Sequence, residues 1–264
     1  MKILANDGIS QNGISALEAA GFEVITTTVA QEQLVNYINS NNIVGILVRS
    51  ATQVRKDIID NCPSLKLIGR GGVGMDNIDV AYAKEKGLHV INTPAASSES
   101  VAELVFAHLF GGVRFLYDSN RHMPLEGDSN FKKLKKSYAK GIELRGKTLG
   151  VIGFGRIGQA TAKIAIGIGM NVIFHDPFID SATIKLPFFD GQSVSFNFEN
   201  KTKEEVLRNS NFITVHVPAQ KEYVIGKKEF DIMQSGVGIV NAARGGVVDE
   251  VALIEALESG KVAF

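Results

Sequence analysis

From Met1 to Asn92 the chain alternates short apolar runs with stretches in which apolar residues recur at three- and four-residue spacing. The runs Ile3-Leu4, Val24-Ile25, Ile43 to Val48, Leu65 to Ile68 and Val90-Ile91 have the brevity and β-branched character of buried strands. Between them, Ile14 to Ala20, Glu32 to Ile38 and Val80 to Lys86 read as helices, with Gly21 and Gly87 where such helices stop. Strands separated by helices predict a parallel sheet. Asn92-Thr93-Pro94 interrupts the rhythm, and Ser97 opens the longest helical pattern of the chain. Ser100 and Glu103 have the spacing of a reciprocal cap, and Val101, Leu104, Val105, His108 and Leu109 predict one face. Pro124 and Gly127 predict its end.

From Lys147 the alternation restarts, with strands expected at Leu149 to Gly153, Val172 to Phe174, Phe212 to Val217 and Val237 to Asn241. Between Pro177 and Lys201, alternating apolar residues flank Asp190-Gly191, which signals a surface hairpin before a helix at Lys203 to Arg208. The expected fold is α/β: two Rossmann-like or flavodoxin-like open parallel-sheet domains joined by a long helix. Their expected bounds are residues 1–96 and 97–264.

Composition narrows the partners. A hydrophobic share of 45% suffices for a core, and 28 basic residues balance 28 acidic ones. That balance leaves no global field to draw nucleic acid or an anionic membrane. Lys132, Lys133, Lys135, Lys136 and Lys140 crowd around Phe131 and Tyr138, but so short a cluster reads as a solvated connection. No apolar run has the length of a membrane span, and the N-terminus lacks the charged and apolar segments of a signal peptide. The lone cysteine, Cys62, forms no internal disulfide, which fits a cytoplasmic protein whose partners are small molecules or other subunits. No spacing of ligand residues suggests a metal.

The strongest chemical signal is LGVIGFGRIGQATAKIAIGIGMNVIFHDP, Leu149 to Pro177. A strand leads into Gly153, Gly155 and Gly158, a helix follows, and a second strand ends at Asp176. The first glycine permits a tight turn, the second lets the backbone approach a pyrophosphate, and the third lets helix pack on strand. The helix N-terminus offers N–H groups to that pyrophosphate, beside Arg156 and Ile157. Asp176 then accepts hydrogen bonds from the adenosine ribose hydroxyls, which favours NAD over NADP. In NAARGGVVDE, Arg244 follows a predicted strand at the sheet edge where such folds bind ligands, suited to clamp a carboxylate.

Together with ILVRSATQV (from Ile46), LIGRGGVGMDNIDV (from Leu67), VINTPAASSESVAE (from Val90) and FITVHVP (from Phe212), these motifs resemble the D-isomer-specific 2-hydroxyacid dehydrogenases over nearly the whole chain. The resemblance implies an NAD-dependent enzyme acting on a small 2-hydroxy or 2-keto acid. Val73 and Gly74 match the loop whose N–H groups hold the substrate carboxylate, opposite Arg244. Arg49 and Ser50 match the branch acting on a phosphorylated substrate, with Arg70 a second phosphate candidate. His216, Val217, Pro218 and Ala242 fall along the cofactor, with His216 behind it. The resemblance also implies a homodimer through the helix from Ser97. The implied reaction is reversible oxidation of 3-phosphoglycerate to 3-phosphohydroxypyruvate.

By the same resemblance, the proton-transferring histidine and its glutamate partner lie beyond the Arg244 motif, past a strand beginning Val262-Ala263-Phe264. They are therefore expected after residue 264, in a longer chain. None of the five histidines present is expected to protonate a carbonyl held by Arg244. Two alternatives remain: a hydroxypyruvate or glyoxylate reductase with an unphosphorylated substrate, and a catalytically silent NAD-sensing protein.

Overall fold

The β-branched runs of the first half become five parallel strands. In the computed structural model, which describes Met1–Phe264, the chain divides into two compact units, Met1–Ser97 and Ser98–Phe264. The first contains β1 (Lys2–Ala5), α1 (Gln11–Ala19), β2 (Glu23–Ile25), α2 (Leu34–Asn41), β3 (Ile43–Val48), α3 (Lys56–Asn61), β4 (Leu67–Arg70), α4 (Val80–Glu85) and β5 (His89–Asn92). Its sheet runs β2-β1-β3-β4-β5, so the order reverses between β1 and β3. Leu4, Ile46, Val48 and Ile68 meet Leu34, Ile38 and Ile58 in one core.

Three details depart from the pattern. β4 starts at Leu67 because Leu65 is spent in a turn, its N–H donating to the Cys62 carbonyl at 3.0 Å. The helix α3 has no counterpart in the apolar periodicity, since its six residues bury only Ile58 and Ile59. Glu32 lies in a 3₁₀ turn, Gln31–Gln33, before α2 begins. Cys62 is a free, buried thiol, pushed up to about 11 by burial and by Asp57.

The second unit opens with α5 (Ser98–Val113) and α6 (Leu116–Tyr138), followed by β6 (Thr148–Ile152), α7 (Arg156–Gly167), β7 (Asn171–His175), β8 (Ser181–Pro187) and β9 (Ser193–Glu199). Then come α8 (Lys203–Asn209), β10 (Phe212–Val215), α9 (Lys227–Ile232), β11 (Gly238–Asn241) and α10 (Glu250–Glu258). The parallel sheet runs β11-β10-β6-β7, reversing between β6 and β10. The excursion after Pro177 is the antiparallel β8–β9 hairpin, pairing Ser181 with Glu199 through to Pro187 with Ser193. Gly191, at φ +86°, takes the left-handed position of its turn.

The single long helix expected after Ser97 is two helices bent by 54°. Phe115, at φ +55°, breaks the run. Because α5 starts at Ser98, Ser100 lies inside its first turn rather than at a reciprocal cap with Glu103. Its inner face is Ala102, Val105, Phe106, Leu109 and Val113, while Leu104 and His108 are exposed. The register therefore sits one step away from the expected face, because Phe106 and Val113 pack on β6 and α7. Pro124 and Gly127 do not close the segment; both lie within α6. That helix kinks at Asn130 instead, and the Tyr138 hydroxyl donates to Asp118 at 2.7 Å. An unbroken helix would hold residues at that separation about 30 Å apart. The expected lysine connection is mostly helical, Lys132 to Lys136 lying in the second limb of α6. No single helix is long and apolar enough to cross a membrane.

Candidate active site

The glycine loop joins β6 to α7 at the reversal point of the second sheet, the position where open α/β sheets form a ligand crevice. Gly153 has φ +91°, and a Cβ there would stand 2.6 Å from the His216 carbonyl oxygen. A Cβ on Gly158 would fall on the Gly153 carbonyl oxygen. Gly155, by contrast, has nothing within 4 Å of its Cβ position. No side chain caps α7, and its first turn holds no acidic residue. The donor-rich, positively polarised end of a twelve-residue helix is thus presented beside open space. These features fit the pyrophosphate of a dinucleotide, with Arg156 and Ile157 in the first turn.

Asp176 follows β7 and is buried, 8% exposed. Its Oδ2 accepts the Phe154 N–H at 2.7 Å, and its Oδ1 accepts the Phe178 N–H at 2.8 Å. One carboxylate therefore ties the glycine loop to the end of β7. Each oxygen retains a lone pair for a further donor such as a ribose hydroxyl.

His216 stands at the end of β10, its N–H donating to the Ile152 carbonyl at 2.7 Å. Nε2 lies 3.0 Å from the Thr214 hydroxyl and 3.3 Å from that of Thr161. Because the Thr161 hydroxyl gives its proton to the Ile157 carbonyl at 2.9 Å, it accepts from Nε2–H, leaving Nδ1 a buried acceptor without a donor. Burial pushes this imidazole down to about 4. His216 is thus a neutral strut beneath the loop.

Val217 and Pro218 continue from β10, and Ala242 and Arg244 from β11, all on the carboxyl edge of the same sheet. Asn241 shapes the arginine turn: its side chain donates to the Arg244 carbonyl at 2.9 Å and accepts the Ala243 N–H at 3.0 Å. Nη1 of Arg244 donates to the Ala243 carbonyl at 2.8 Å. The remaining histidines stand in other elements. His89 starts β5, His108 is exposed on α5, His122 lies between Asp118 and Glu126 on α6, and His175 binds the Lys201 carbonyl.

In the first unit, Arg49 and Ser50 follow β3 at that sheet's own reversal point. Asp7, just beyond β1, holds their loop: Oδ2 accepts the Arg49 N–H at 2.6 Å and the Thr52 N–H at 3.1 Å, while Oδ1 accepts the Thr52 hydroxyl. Burial acts to raise the Asp7 carboxyl, but the Thr52 hydroxyl and neighbouring N–H groups outweigh it and hold it below the usual range. Asn77 donates to the Arg49 and Thr52 carbonyls at 3.0 and 2.6 Å, and Arg70 Nε donates to the Arg49 carbonyl at 3.0 Å. Arg49, Arg70 and Asp7 line a cavity of about 670 Å³ walled by Leu47, Gly69 and Ile91. Asn92 donates to the Val73 carbonyl at 2.7 Å, fixing the loop that carries Val73 and Gly74.

The sequence reading did not single out Asp7, Asn77 or Asn241. Each acts on the backbone of another segment, although a polar residue just past the apolar run of β1 was a usable signal for Asp7.

The sequence profile described as "D-isomer specific 2-hydroxyacid dehydrogenase, NAD binding domain" matches residues 106–264. The chain is 39% identical over 264 residues to a D-3-phosphoglycerate dehydrogenase of Methanocaldococcus jannaschii, covering 99% of this chain and 47% of that protein. It thus spans about half the length of that relative. It is 38% identical to a hydroxypyruvate reductase of Thermotoga maritima, covering 99% of this chain and 80% of the relative. A solved glyoxylate reductase from Paecilomyes thermophila superposes with a TM-score of 0.80 at 28% identity, covering 99% of this chain and 79% of that one.

Proposed function

The chain belongs to the D-isomer-specific 2-hydroxyacid dehydrogenases, NAD-dependent enzymes, and from that membership we propose that it oxidises 3-phosphoglycerate to 3-phosphohydroxypyruvate at the start of serine biosynthesis. The observation that carries the substrate is the Arg49–Thr52 loop. It is braced from below by Asp7 and Asn77, and two guanidinium groups, Arg49 and Arg70, line the cavity beside it. Planar guanidinium groups suit a phosphate better than any neutral substrate end.

In this reading Gly153, Gly155 and Gly158 give the pyrophosphate its seat, Arg156 and Ile157 flank it, and Asp176 takes the ribose. NAD held by these residues would supply the hydride acceptor for C2 of the hydroxy acid. Val217, Pro218 and Ala242 line the cofactor, and His216 supports it from behind. Arg244 and the main-chain N–H groups of Val73 and Gly74 hold the substrate carboxylate, and Arg244 polarises the reacting oxygen. Arg49, Ser50 and Arg70 hold the phosphate. The proton is taken by the histidine that the family pattern places downstream of the Arg244 motif, with a glutamate raising its basicity. Two copies pair through α5 and α6.

The relative from Thermotoga maritima supports a second reading, reduction of plain hydroxypyruvate. Arg49→Ala separates the two. Losing a charge-assisted phosphate contact should lower kcat/KM for phosphohydroxypyruvate about 10- to 100-fold and leave the plain keto acid unaffected. Equal activity on both substrates, insensitive to Arg49, favours the hydroxypyruvate reading.

A further inference from the structure

The hairpin after Pro177 is fastened both to the glycine loop and to the end of β7. On its inner face, Ile184 is buried in the core of the second unit, and the Phe198 ring meets Phe154 edge-on with centroids 6.3 Å apart. Phe154 is itself stacked on Phe174 at 3.9 Å and donates its N–H to Asp176. The exit of the hairpin then runs back alongside β7. Asn200 bridges to Phe174, and the Lys201 N–H donates to the Phe174 carbonyl at 2.9 Å.

At this crossing one side chain spans the main chain of Asp176. The Asn200 Oδ1 accepts the Asp176 N–H at 3.0 Å, and its Nδ2 donates to the Asp176 carbonyl at 2.8 Å. An amide that satisfies both polar groups of one residue fixes its position and its rotation about the strand axis. The carboxylate is then held by Phe154 and Phe178 N–H groups, so Asp176 is anchored at its backbone by Asn200 and at its side chain by the loop. The hairpin brings Asn200 to this place: its N–H donates to the Asp180 carbonyl at 2.8 Å, closing the excursion where it began.

We propose that Asn200 is a positioning residue that locks Asp176 against the adenosine ribose and so enforces the preference for NAD over NADP. This rests on the reading of Asp176 as the ribose ligand. With Asn200 in place, the carboxylate cannot retreat from an incoming 2′-phosphate, which meets a fixed like charge. Without it, the end of β7 is free to shift, the ribose hydroxyls lose a pre-set acceptor and the phosphate loses its opponent.

The test is calorimetric titration of NAD and of NADP into the wild type, Asn200→Ala, Asp176→Ala and Thr183→Ala. The last breaks only the Thr183–Asn197 bond on the outer face of the hairpin, 2.9 Å long. Asn200→Ala should weaken NAD about tenfold, because the ribose acceptor is no longer pre-organised. NADP should weaken less, narrowing the ratio of the two affinities several-fold, and Thr183→Ala should leave that ratio unchanged. An unchanged ratio in Asn200→Ala, even with both affinities lowered, makes Asn200 merely structural and overturns the proposal. Should Asn200→Ala fail to fold, Asn200→Ser, which is neutral and too short to span both polar groups of the Asp176 main chain, is read by the same ratio. If Asp176→Ala leaves NAD binding untouched, the ribose assignment itself fails, a result distinct from an unaltered ratio in Asn200→Ala.

Discussion

A single imidazole illustrates how burial is converted into pH dependence. His216 is neutral in the folded chain because burial lowers it from 6.5 to about 4, whereas the unfolded chain titrates near the ordinary value. Above pH 6.5 both states are neutral and the full stability is present. As pH falls from 6.5 toward 4, the unfolded chain takes up a proton that the folded chain refuses, so stability is lost across that window. Below about 4 the loss levels off. The shift corresponds to about 3 kcal/mol at the acid end. His216→Gln keeps a donor toward Thr161 and Thr214 but does not titrate. Its urea midpoint should therefore fall less steeply than that of the wild type between pH 7 and 4.5, and parallel profiles would show that His216 contributes nothing to acid sensitivity. The residues legible in the sequence, Gly153, Asp176, Arg49 and Arg244, share one property: each follows an apolar run at the carboxyl end of a strand. Asn77 and Asn200 were silent because their partners are the main chains of segments distant in sequence, a relation no local spacing encodes.

At the scale of elements, the glycine loop carries two opposed expectations within six residues. Gly158 packs so closely that a methyl group would overlap the Gly153 carbonyl, whereas Gly155 faces open space with an ordinary φ of −69°. Gly158→Ala should cost about 3 kcal/mol by overpacking against rigid backbone and should lose NAD binding with it. Gly155→Ala should leave the denaturation midpoint unchanged yet weaken NAD, because its methyl group occupies the approach of the pyrophosphate. Equal loss of stability in the two variants would remove the distinction. Parallel strands, most helices and the Asp190-Gly191 hairpin were readable because their periods and turn residues are local. The break at Phe115 was not readable, since a bulky residue in the left-handed region announces itself only after packing has forced it there. Pro124 and Gly127 misled in the opposite sense: both are poor helix residues that α6 nevertheless accommodates, while the kink falls at Asn130.

For the molecule as a whole, α6 poses the largest unsatisfied requirement. Across its 23 residues none is buried, yet Leu116, Tyr117, Leu125 and Phe131 are at least half exposed. The kink at Asn130 divides α6 into two shorter limbs; isolated helices shorter than about 15 residues are marginal in water, and most helical stability comes from packing an apolar face. Local contacts compensate only in part: the Tyr138 hydroxyl binds Asp118, and the Tyr138 ring lies 6.3 Å from that of Phe115. The proposed pairing of two copies would supply the missing cover, and it would make helicity and association two readings of one event. Leu125→Glu combined with Phe131→Glu places charges at two of these exposed apolar positions while leaving the glycine loop unaltered. In sedimentation the wild type should run as a dimer and the double variant as a monomer, with helical circular dichroism reduced in step and the NAD affinity of the second unit retained. A variant that stays dimeric at full helicity would show that α6 stands without a partner, and the association surface would then have to lie on another face.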